Sequence, residues 1–232
     1  VFNFLIGAFV TFIVIINPSG IIPIFISLTR VNSAAQRAKI ARKATIISLI
    51  LLPIFTFVGD YLLDSLGISI SSFRIAGGIL LLLAAIDMVV ARHSGISSTT
   101  PDEQQEALQR DDISVFPLAI PLIAGPGALV SAVILMREVE GDIIMQLGLI
   151  AVLVIVVMIM YICLLLAEPI SKFLGVTGSN VLGRVFGIIL VALAVQFIID
   201  GLGQSVGHIF KPSPSIQAPG KTPLFGSDTS NL

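Results

Sequence analysis

Charge is scarce in this chain. Asp, Glu, Lys and Arg make up 12% of its 232 residues, about half the share of roughly 25% that soluble domains carry. A water-facing surface is not built from so few charged groups, which excludes an ordinary soluble domain. The net charge is −1, so no basic footprint points to a nucleic-acid partner. The single cysteine, Cys163, lies inside an apolar run. An intrachain disulfide is excluded, and a buried structural thiol is the expectation. Catalytic signatures are missing too. There is no HExxH, P-loop, GxSxG or CxxC, and His93 and His208 lie outside the apolar stretches. Gly201, Gly203 and Gly207 have the wrong spacing for a dinucleotide fingerprint and follow no strand pattern. No enzyme, cofactor or metal site is expected.

What the chain has in quantity is apolar surface. It is 56% hydrophobic with a mean hydropathy of +1.05, against about 45–50% apolar residues in soluble domains. The surplus requires lipid. A helix crosses the bilayer core with roughly 20 apolar residues, and six stretches qualify. They lie near Phe2–Leu28, Ala44–Leu63, Phe73–Ala91, Ile113–Met136, Ile143–Ala167 and Val181–Leu202. The expected fold is therefore an all-α membrane protein with six transmembrane helices. The first stretch is too long for a signal-peptide core and no basic residue precedes it, so it reads as an uncleaved span.

Loop charges predict the orientation. Arg30, Arg37, Lys39, Arg42, Lys43, Arg92, Arg110, Lys172 and Arg184 fall on one side, whereas Arg74, Arg137, Lys211 and Lys221 fall on the other. The positive-inside rule makes the first side cytoplasmic and turns both termini outward. The connector at 92–112 reads as a solvated cytoplasmic loop, with a short surface helix after Pro101. The tail at 206–232 is rich in Pro, Ser and Gly from Lys211 onward, a composition that predicts disorder.

The two halves, 1–91 and 113–205, resemble each other. Arg74-Ile-Ala-Gly77 and the leucine-rich run after it line up with Arg184-Val-Phe-Gly187 at an offset of 110 residues. The first and fourth stretches each break at a Pro/Gly cluster. One holds Asn17-Pro18-Ser19-Gly20 and Pro23. The other holds Pro117, Pro121 and Gly125-Pro126-Gly127, and Pro18 and Pro126 are 108 residues apart. Two features at nearly one offset predict an internal repeat. Units of three spans must insert with opposite topology, which makes them inverted repeats. The competing reading is chance likeness of leucine runs, with Gly183 and Gly187 forming a helix-packing GxxxG.

Paired breaks have chemical consequences. Proline removes a donor and disturbs the preceding turn, and freed backbone groups in hydrocarbon cost several kcal/mol unless protein or water satisfies them. Single prolines are often kinks, and Pro53 in the second stretch reads as one. Breaks at matching positions in two halves point to a transporter site near the midplane. Half-helices beginning near Ser19 and Pro126 offer free N–H groups to a carboxylate. Carbonyls around Asn17 and Ala124 can accept from an ammonium, and the side chains of Asn17 and Ser19 add polar contacts. Such a site suits a small zwitterion. No ionisable residue lies at mid-span. Asp87, Asp200, Arg74 and Arg184 sit toward span ends, and Gln196 is a candidate for an interhelical hydrogen bond. Asp87 is the proton-coupling candidate; the competing reading pairs it with a loop arginine at the interface.

These segments together carry a family likeness. INPSGIIPIF, FRIAGGILLLLAAIDM, IPLIAGPGAL and AVQFIIDGL resemble, in content, order and spacing, the MarC family of bacterial and archaeal inner-membrane proteins, over roughly residues 1–205. That family is similar in architecture to the LysE-type amino-acid exporters, and some members are described as transporters of small neutral amino acids. The resemblance implies a transporter of alanine- or glycine-like solutes, with Asn17, Pro18, Gly20, Pro23, Gly125, Pro126 and Gly127 at motif positions. Drug or metabolite efflux, and a channel or non-transporting scaffold, stand as the alternative readings, and the expected partners are a small neutral zwitterion, the lipid bilayer and a second copy of the chain in a homo-oligomer.

Overall fold

The structure, a computed structural model, describes residues 1–90 and 113–209. Every regular element in them is helical: α1 (Phe2–Ile16), α2 (Pro18–Leu28), α3 (Ala34–Ser65), α4 (Ile70–Val90), α5 (Ser114–Ile123), α6 (Pro126–Glu138), α7 (Ile143–Leu165) and α8 (Ala167–Ile209). Five helices are long and apolar enough to cross a membrane: Phe2–Leu28 (α1 with α2), α3, α4, α7 and Thr177–Ser205 within α8. The pair α5 and α6, bent by 53°, makes a sixth if joined. The chain is thus an all-helical, multi-pass membrane protein. The expected connector helix and the tail beyond Ile209 lie outside the described residues.

Two boundaries differ from the sequence expectation. The second span starts at Ala34, not Ala44, so most of the basic connection at Thr29–Lys43 is helix. Ser33 starts it: its Oγ accepts from the Gln36 N–H over 3.3 Å while Gln36 Oε1 accepts from the Ser33 N–H over 2.8 Å, a reciprocal cap that hydropathy does not register. The loop expected after the fifth span is also helical, because α8 begins at Ala167. Pro53 lies inside α3 and does not end it.

On α3, small and polar residues share the buried face with Ile40, Leu52 and Leu63, while several large apolar ones turn outward. Along α3, Ala41, Ala44, Thr45, Ser48, Thr56 and Gly59 are buried, whereas Ile46, Ile50, Ile54 and Phe57 are exposed. Thr45 and Thr56 satisfy their buried hydroxyls by donating to the Ala41 and Leu52 carbonyls, at 2.8 and 2.7 Å. Lipid gives helices no hydrophobic reason to associate, so close approach through small residues holds the bundle together. The tightest pairing is α4 on α8. A Cβ at Gly78 would stand 2.7 Å from the Ala194 carbonyl oxygen, and one at Gly187 would stand 3.0 Å from Met88 Cβ. Around this pair, α1 packs on α7 and α5 on α3, while α2 packs on α8 and α6 on α4.

Ion pairs mark the two ends of the bundle. At one end Arg37 Nη1 pairs with Glu168. At the other Arg137 Nη1 pairs with Asp60 at 2.5 Å, and Arg74 Nη2 pairs with Glu138 at 2.8 Å. Arg74 is 7% exposed, packed inside near the start of α4. Cys163 is half-buried, less enclosed than the expected structural thiol.

Candidate functional site

Asn17 makes the first break. Its backbone is left-handed, φ 50° and ψ 70°, a region Asn enters at less cost than most residues because its side chain can bond locally. Its N–H closes α1 on the Ile13 carbonyl at 3.1 Å, and its own carbonyl accepts from Gly20 and Ile21 to open α2. Side-chain Oδ1 accepts from Ser19 Oγ at 2.7 Å and from the Gly20 N–H at 3.3 Å. The N-terminus of α2 is therefore capped by its own residue. Pro18 takes the first helical position, where no N–H is needed. Further along, Pro23 cannot donate to the Ser19 carbonyl, and Ser179 Oγ on α8 does so instead, at 2.6 Å.

The second break is longer and differently made. Phe116 and Ile120, the residues before Pro117 and Pro121, are extended, with φ near −126° and −127°. Proline pushes its predecessor out of the helical region. The Ile113 carbonyl, denied a donor by Pro117, takes the Leu118 N–H at 3.2 Å. The turns of α5 are thus wide and irregular. Gly125 then allows a close approach, since a Cβ there would meet the Pro121 carbonyl oxygen at 2.5 Å. Gly125 opens α6 with Pro126 in the first helical position and no side-chain cap. The free amides that begin α6 have no internal partner, in contrast to those of α2.

A third break lies in α8. Gly175 has φ 61° and ψ −177°, a conformation essentially confined to glycine. Sequence reasoning missed it, although a signal is present. Leu174-Gly175 follows Leu66-Gly67 by 108 residues, the Pro18–Pro126 offset, and Gly67 also has a positive φ, 67°.

The three breaks meet around one cavity of about 290 Å³. Asn17, Gly20 and Pro23 line it from the first break, and Gly125, Pro126 and Gly127 from the second. Asp87 joins them from α4, and Ser171, Gly175, Ser179, Asn180 and Gly183 from α8. The α8 polar residues were not anticipated, because a run read as an interfacial loop gives no reason to place Ser or Asn inside. Pro18 and Ser19 are buried behind the cavity wall and act through the cap.

The other polar candidates lie elsewhere. Arg74 is paired with Glu138, and Arg184 is exposed. Gln196 Nε2 donates to Asp200 Oδ1 at 2.8 Å one turn along the same helix, so this bond is not interhelical. The loop arginines weighed as partners for Asp87 fall outside the described residues. Among the described residues, no three His, Cys, Asp or Glu side chains converge as a metal set.

Comparison with known sequences follows the same boundaries. The sequence model for MarC family integral membrane proteins matches residues 2–206. The chain is 37% identical over 204 residues to a UPF0056 membrane protein of Archaeoglobus fulgidus, covering 88% of this chain and 94% of the relative. It is 38% identical over 205 residues to the UPF0056 membrane protein MJ0972 of Methanocaldococcus jannaschii, covering 87% and 88%. With the UPF0056 membrane protein YhcE of Escherichia coli (strain K12) it shares 37% identity over 201 residues, covering 87% and 91%. No solved structure matches the chain.

Proposed function

Because the chain belongs to the MarC family of integral membrane proteins, we propose that it is a secondary transporter of small neutral amino acids of the alanine or glycine kind. The observation that carries this reading is the single cavity lined by both Pro/Gly breaks. Small-molecule sites run from about 300 to 1,000 Å³, and about 290 Å³ suits a small solute. The uncapped amides at the start of α6 supply partial positive charge to a carboxylate. Asn17 and the serines of α8 supply neutral polar contacts. The expectation that α2 would serve equally gives way to one-sided recognition by α6, since Asn17 already caps α2.

The reading includes two inverted repeats, 1–91 and 113–205. The reciprocal packing of α1 on α7 and α5 on α3, and of α2 on α8 and α6 on α4, supports it. Ion pairs also cross between the halves at opposite ends of the bundle, Arg37 of α3 with Glu168 in the first turn of α8 and Arg137 of α6 with Asp60 of α3. Exchange of access would then be a movement of one half against the other about the cavity. The charge asymmetry supports the Arg37 end as cytoplasmic, with outward termini and an inner-membrane location.

Protein reconstituted in liposomes should take up labelled alanine or glycine with saturable kinetics, and Asn17→Ala should weaken the uptake. Absence of saturable flux for every neutral amino acid tried would overturn the reading.

A further inference from the structure

Asp87 is the one ionisable side chain among the described residues that line the cavity. It makes no hydrogen bond or ion pair with another described residue. A partly buried carboxylate near the end of a membrane span without a counter-charge is costly, and such residues ordinarily pair or mark a pathway. Among the described residues, the surrounding elements offer no cation to it. On α8, Gly187 packs against Met88 and Val89, and the α8 residues that line the cavity with Asp87, among them Asn180 and Gly183, are uncharged. Lys172 and Arg184, also on α8, are exposed and do not line the cavity. Asp200 is more than three turns farther along that helix. Neither α2 nor α5 contains an ionisable residue. The ionisable residues of α6, Arg137 and Glu138, are at its far end and engaged with Asp60 and Arg74.

The geometry points to Asp87 as the counter-ion for the ammonium of the transported solute. This rests on the transporter reading of the same cavity. The site then has two poles: uncapped α6 amides for a carboxylate, and Asp87 for an amine. An α-amino acid zwitterion matches both, and the site selects a free amine as well as small size.

The test is alanine binding by calorimetry to the full-length protein in detergent, for wild type, Asp87→Asn and Asp87→Glu. Asp87→Asn should bind alanine at least about tenfold more weakly. Asp87→Glu keeps the charge and should bind alanine more tightly than Asp87→Asn. N-acetylalanine, which lacks the ammonium, should not compete with alanine on wild type, and this arm decides the matter if the Asn variant does not fold. Wild-type affinity in Asp87→Asn, or competition by N-acetylalanine equal to that of alanine, would each overturn the inference and leave the transporter reading standing. No binding of any neutral amino acid to wild type would remove both.

Discussion

Ser179 Oγ donates to the Ser19 carbonyl over 2.6 Å, four residues before a proline that cannot. The bond joins α8 to α2 at the edge of the cavity. It fills the vacancy that Pro23 leaves in the helix ladder. This substitution of a distant hydroxyl for a missing amide predicts a specific non-additivity. Ser179→Ala alone should destabilise by about 1–3 kcal/mol, the cost of an unsatisfied buried carbonyl. Combined with Pro23→Ala, which returns an amide to Ser19, the same change should cost under about 1 kcal/mol. Thermal unfolding of the four proteins in detergent closes the cycle. Equal costs in both backgrounds would show that the bond does not replace the ladder.

The two glycines of the GxxxG pattern in α8 should separate on mutation. A Cβ at Gly187 would press on Met88 Cβ and the Val89 amide at 3.0 and 3.1 Å, whereas one at Gly183 meets nothing within 4 Å. Gly187→Ala is expected to lower stability by about 1–3 kcal/mol through overpacking. Gly183→Ala should be neutral or slightly stabilising through helix propensity. Gly183 lines the cavity, so its added methyl should reduce alanine uptake in liposomes without loss of thermal stability.

These two cases show how far the residues alone could be read. The breaks at Asn17 and Gly125 were legible because clustered proline and glycine interrupt the hydrogen-bond ladder of an apolar helix. The start of α3 was not legible. Its first turns carry Arg37, Lys39, Arg42 and Lys43, and a hydropathy reading stops at the first charge although the helix does not. The polar wall of the cavity was hidden for the same reason. Ser171, Ser179 and Asn180 lie where hydropathy falls, and only the break at Gly175 brings them inward. Gln196 looked like glue between helices, but an acceptor one turn away on its own helix, Asp200, took the bond.

Ion pairs at the Arg137 end should rank by burial. Arg74 and Glu138 have side-chain exposures of 8% and 34%, while Arg137 and Asp60 are both at 30%. Glu138→Gln leaves a guanidinium inside the bundle whose Nε already has no partner. Its cost should reach about 2–4 kcal/mol, at or below the range for breaking a buried pair. Asp60→Asn should cost under about 1 kcal/mol, because solvent screens the pair and Glu140 also lies 3.2 Å from Arg137. Melting temperatures in detergent at two salt concentrations would check this, with salt sensitivity confined to Asp60→Asn.

Asn17 has two separable duties, and two substitutions divide them. Its backbone needs the left-handed region, at φ 50°, and its side chain caps α2 through Gly20 and Ser19 while lining the cavity. Asn17→Gly keeps the conformation without strain and loses the side chain. Asn17→Ala loses the polar group that eases this conformation and keeps a Cβ in a region costing about 1–2 kcal/mol. Stability should therefore fall further for Ala than for Gly, by about 1 kcal/mol. Alanine uptake should fall alike in both, because the cavity loses the same amide. If uptake followed stability instead, with Gly near wild type, Asn17 would serve the break alone and the solute's contacts would lie on α6 and α8.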